Sequence, residues 1–259
     1  MILRALAPLL LLLVAPIAIA WAGRRFREPL ENEGRRIAVL GAMTFALAAA
    51  LEIGLGRVLR AVLESTGAPG ELGSAALIGV VVALAHEPLR AGTYRHFLPA
   101  EPTERRRSSA LLFGLGYGGA MAGLAALVLL TGFALEALGG DGVRALGFGE
   151  GLARRADIRA AFSGIEPWRP WLAALDQLLW AIFQVGACLW VAVRPVRRAL
   201  VLLPLHAVLV AAVLYAAEQS LELETAAHGA AGLLGSLMAI LAWRSRAEAQ
   251  GDSERSSVT

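Results

Sequence analysis

Apolar stretches recur along the whole chain, divided by short segments rich in arginine or in acidic residues. A hydrocarbon core about 30 Å thick is crossed by about 20 helical residues rising 1.5 Å each. Stretches of that length place seven spans near residues 2–22, 37–63, 75–98, 109–137, 171–193, 199–217 and 226–243. The pattern predicts an all-α fold: a polytopic transmembrane helical bundle forming one domain over residues 1–250, with a polar, disordered cytoplasmic tail at 251–259. Arginine sets the orientation. Arg24, Arg25, Arg27, Arg35 and Arg36 follow the first span, Arg105, Arg106 and Arg107 the third, and Arg194, Arg197 and Arg198 the fifth, whereas the turn from Glu218 to Glu224 is acidic. Basic connections stay in the cytoplasm, so the N-terminus faces outside and the C-terminus inside.

Two segments admit more than a spanning helix. Leu9–Val14 followed by Ala18-Ile19-Ala20 also fits a signal-peptide core and cleavage site, but the arginines after Gly23 favour retention as a span. The connection from Gly139 to Pro170 is the longest; its glycines predict a flexible lead into a short amphipathic helix over 152–162, with Arg154, Arg155 and Arg159 at headgroup level. Trp168 and Trp171 read as interfacial anchors of the fifth span.

Composition narrows the class. Of 259 residues 57% are hydrophobic and only 17% charged, which excludes an ordinary soluble domain and points to a bacterial-type plasma membrane with lipids as the surroundings. The net charge of +3 comes from arginines at the ends of apolar stretches, so nucleic acid is not an expected partner. Cys188 is the only cysteine, which rules out a disulfide within the chain. Nothing in the pattern specifies an oligomeric state.

Chemistry then rests on polar residues inside the spans, where an ionisable group costs about 2.5–3.5 kcal/mol and usually faces protein. In the third span Glu87, Arg90 and Tyr94 are spaced by three and four and share one helical face. Glu87 is either a carboxylate poised to polarise water or half of an ion pair that fixes packing. Pro88 beside it removes a backbone donor and predicts a kink. Counted from the cytoplasmic ends, Glu87, Tyr117, Gln184 and His206 lie at a common depth of about 12–17 Å on four helices. His206 is a candidate metal ligand or proton carrier, or simply an interhelical hydrogen-bonding group. Glu52 in the second span needs water or a partner, while Arg57 and Arg60 reach outward. His96 and His228 stand at span ends, where hydration is expected. Gly114-Leu115-Gly116-Tyr117-Gly118-Gly119, continued by Ala122 and Gly123, reads as a small-residue face for close helix approach.

In their order these motifs resemble the YhfC family of intramembrane metalloproteases, distant relatives of the CAAX-processing and bacteriocin-processing membrane peptidases. The resemblance covers residues 37–217: Gly41-Ala42-Met43-Thr44-Phe45 with Glu52-Ile53, His86-Glu87-Pro88-Leu89-Arg90, the glycine string around Tyr117, Asp176-Gln177 with Gln184, and Leu203-Pro204-Leu205-His206-Ala207. It implies a zinc-dependent endopeptidase that cuts a peptide or membrane-protein substrate in or near the bilayer. In that scheme Glu87 is the general base, Arg90 its orienting partner and His206 a zinc ligand. Tyr117 and Gln184 stand where the family has imidazoles, Met121 where it tends to have Glu, and His86 for the first Glu of a pair. His86 or Glu52 would have to complete a rearranged ligand set, and a zinc centre normally needs three protein ligands. The resemblance therefore implies a family-like bundle whose zinc site is altered or absent, and the alternative function is an inactive relative holding a transmembrane segment, lipid or small ligand. Mid-membrane carboxylates and imidazoles also carry protons in transporters, a third reading that the absence of an internal repeat disfavours.

Overall fold

The computed structural model describes residues 2–25, 33–67, 70–98, 103–147, 149–154 and 169–244. Seven long helices account for nearly all of them: α1 (Ile2–Arg25), α2 (Gly34–Thr66), α3 (Glu71–His96), α4 (Thr103–Ala145), α5 (Arg169–Val193), α6 (Pro195–Gln219) and α7 (Leu221–Arg244). The helices α2 to α7 are each long and apolar enough to cross a membrane, which describes a multi-pass membrane protein. Helix α1 packs on α4 and α5, with Leu11 and Ala22 buried. Large apolar side chains such as Met43, Val58, Leu200 and Leu233 face outward, as expected where lipid is the solvent.

The closest partnerships are α3 with α6, α5 with α7, and α2 with α4, while α4 also packs on α5. Glycines permit them. A Cβ on Gly79 would strike the Ala207 carbonyl across α3–α6, and Gly186 and Gly235 abut backbone to backbone across α5–α7. On α4, Gly116 meets Ala38 of α2 while Gly114 and Gly118 meet α5, so alternate glycines serve two neighbours. The small-residue face is thus real at three positions, but Gly123 looks into open space and is not part of it.

Basic residues tie together the end of the bundle where α2 and α4 begin and α7 stops. Arg105 donates to Glu33 at 2.7 Å, and Arg107 donates to the Trp243 carbonyl at 2.9 Å with its guanidinium over the indole. At the opposite end the expected glycine-led loop is instead helix: α4 continues to Ala145 across a kink at Gly139 (φ 61°). Arg144 near its end bonds Asp141 at 2.9 Å and Glu150 at 3.0 Å. Residues 150–154 form a helical turn whose Ala153 is buried against Val143. Arg154 is exposed as expected, and Trp171 is exposed at the start of α5. The remainder of the proposed amphipathic helix, Trp168 and the tail at 251–259 lie outside the described residues.

Candidate functional site

Four helices converge on one buried polar cluster at the level the depth count indicated. Helix α3 runs through Pro88 without interruption and presents His86, Glu87 and Arg90 inward. Arg90, fully buried, donates through one terminal nitrogen to both oxygens of Glu87, at 2.6 and 2.8 Å, and through the other to Oε1 of Gln184 on α5. Its guanidinium also lies 4.9 Å from the ring centre of Tyr117 on α4. From α6, His206 donates Nδ1–H to Oε1 of Glu87 at 2.7 Å. Such charge-assisted bonds compensate an ion pair for its removal from water.

A second chain adjoins the first. His86 accepts the Tyr117 hydroxyl at Nδ1 and donates from Nε2 to Oε2 of Glu52, 3.1 Å away on α2. An ionised Glu52 can only accept, which fixes this tautomer. The rings of His86 and His206 meet edge to face at 5.7 Å, and Phe45 packs on both His86 and Tyr117. Glu52 is the open end, its side chain 41% exposed. Glu87, Arg90, Tyr117, Gln184 and His206 are all closed off from solvent.

Tyr94 does not join this cluster. One turn beyond Arg90, it is buried against Phe113 with its hydroxyl 3.4 Å from the Ala110 carbonyl. Cys188 is fully buried, with its thiol beside Arg90 and Tyr94.

Two cavities meet at Glu52. The inner one, about 560 Å³, runs from Phe45, Glu52 and His86 past Gln184 and Trp180 to His228. The outer one, about 670 Å³, is a groove between α2 and α3 lined by Ile53, Leu63, Ile78 and Val82, with Arg57 and Arg60 on its rim. Both share Glu52, Ile53 and Val82. Met121 lies in the inner wall, so the position where the resembled family tends to carry Glu offers a thioether.

No protein-family model, curated protein or solved structure matches the chain. The site is therefore judged on its own donors. Zinc held by side chains needs about three N, O or S ligands around one point. His206 offers one: its Nε2 is buried and has no hydrogen-bond partner. Both nitrogens of His86 are engaged, both oxygens of Glu87 face Arg90, the Tyr117 hydroxyl serves His86, and Gln184 serves Arg90. As arranged, this donor set does not offer zinc three free ligand atoms, and His86 bridges Tyr117 and Glu52.

His228 also departs from expectation. Instead of being hydrated at a helix end it is 6% exposed, with Nδ1 bonded to the Glu224 carbonyl at 3.0 Å and 3.9 Å from Oδ1 of Asp176. Its spacing of four from Glu224 was visible in the sequence, but the pairing of α5 with α7 that brings Asp176 alongside was not.

Proposed function

We propose that the protein is a seven-span, N-outside, C-inside protein of a bacterial-type plasma membrane that binds a lipid-like amphiphile, as a non-catalytic relative of the peptidases it resembles. The arginines gathered at one end of the helices support that orientation. The observation that carries the binding reading is the place of Glu52, a half-exposed carboxylate shared by an apolar groove open toward lipid and by an inner cavity with a polar floor. Ligand sites usually combine such apolar walls with a few fixed polar groups. A transmembrane helix about 10 Å wide and 30 Å long occupies about 2,400 Å³, several times either cavity, so an acyl chain is the better fit.

Hydrolysis is disfavoured because Glu87 has both oxygens committed to Arg90, and one also to His206, leaving it poorly placed to activate water. In vesicles containing a diazirine-bearing phospholipid, photolabelling is expected to concentrate between residues 52 and 82. Ile53→Trp, at an exposed position on both cavities, should reduce it severalfold. Even labelling of all helices, unchanged by Ile53→Trp, would overturn the proposal. So would stoichiometric zinc removed by His206→Ala together with peptide cleavage abolished by Glu87→Gln, a result that would restore the peptidase reading.

A further inference from the structure

We propose that Asp176, Glu224 and His228 bind a divalent transition-metal cation, at the end of the bundle where α6 turns into α7 and apart from the Glu87 cluster. Three observations converge. Each residue offers a ligand atom within 4.8 Å of the other two, with Asp176 on α5 and Glu224 and His228 one turn apart on α7. Asp176 is only 4% exposed, and its Oδ1, facing His228, has no hydrogen-bond partner. Thr225, beside Glu224, places a buried hydroxyl against the Asp176 carboxylate.

The charged groups acting on Asp176 are His228 and Glu224, so two carboxylates meet one imidazole in a poorly hydrated place. Two carboxylates and one imidazole make an anionic donor set whose charge a divalent cation neutralises. Nδ1, the ring nitrogen 3.9 Å from Asp176 Oδ1, donates to the Glu224 carbonyl at 3.0 Å, so a cation reaches the free lone pair on Nε2 with a shift of the ring or of the two carboxylates. Oxygen donors with one imidazole suit zinc or manganese better than thiolate-seeking ions. Donors around one zinc stand about 3.4 Å apart, closer than the 4.8 Å within which the ligand atoms lie, so binding draws the partly exposed Glu224 inward.

The close approach of Gly186 and Gly235 holds α5 against α7 and hence keeps Asp176 opposite His228. Trp180 stands between the two polar regions on the wall of the cavity that reaches both, its ring 5.7 Å from that of His206 and 6.2 Å from that of His228. The experiment is equilibrium dialysis of chelator-treated, full-length protein in detergent against Zn²⁺, with bound metal measured by mass spectrometry and melting followed in parallel. One equivalent is expected, with a raised melting temperature. Asp176→Asn and His228→Gln should each weaken binding at least tenfold, while His206→Ala leaves it unchanged. Absence of saturable binding, or binding indifferent to both Asp176→Asn and His228→Gln, overturns the proposal. Binding lost in His206→Ala but kept in His228→Gln also overturns it, and would count against the non-catalytic reading of the core as well. Zinc bound at the trio with no lipid labelling of the α2–α3 groove would support the metal site while removing the proposed function.

Discussion

Arg90→Met is expected to destabilise the protein by about 3–5 kcal/mol, the loss typical when one partner of a buried ion pair is removed. Glu87 would keep its charge with only His206 beside it, and Gln184 Oε1 would lose the donor it faces. Each unsatisfied buried group costs about 1–3 kcal/mol by itself. The double variant Glu87→Gln/Arg90→Met should regain much of the loss, since a neutral amide still accepts from His206 without leaving a charge stranded. Unfolding of the purified single and double variants in detergent measures this. Equal stability of Arg90→Met and the parent would show that the pair is not what holds α3, α5 and α6 in place.

Gly186→Ala comes next in expected effect. The added methyl would fall on the Gly235 carbonyl, a backbone obstacle that cannot rotate aside, so α5 and α7 must separate. Overpacking of this kind costs about 1–3 kcal/mol, occasionally more. Gly123→Ala is the matching control. Nothing lies within 4 Å of its added methyl, and alanine favours the helix by about 1 kcal/mol. Unfolding midpoints should therefore move in opposite directions, and a common direction would refute the contact geometry.

What sequence reading captured and what it missed divide along the helix axis. Hydropathy is local, so each expected span overlaps one helix; most ends fell short because polar residues continue the helix, as at Thr103–Ser108 and Leu138–Ala145 of α4. Depth is additive along a helix, which is why Glu87, Tyr117, Gln184 and His206 could be set at one level from residue numbers. Lateral order is not encoded in that count. The bonds from Tyr117 and Glu52 to the two nitrogens of His86, and the packing of α7 on α5 that buries His228 beside Asp176, depend on which helices are neighbours. Tyr94 shared the face of Glu87 by spacing, but a turn of translation moved it among apolar rings.

The unequal grip on α2 has a mechanical consequence. Its first third is locked at Gly41 against Phe113, whereas the segment beyond Leu51 is largely exposed and forms one bank of the groove. From Gly41 to Thr66 the arm is about 38 Å long, so a pivot of only about 5° swings its tip by about 3 Å. With 33 residues, α2 is about 50 Å long and outreaches a typical hydrocarbon core, which makes its inclination responsive to bilayer thickness. Thinner and thicker membranes would then set different widths for the groove while the Arg90 ion pair, held between α3, α5 and α6, stays in place.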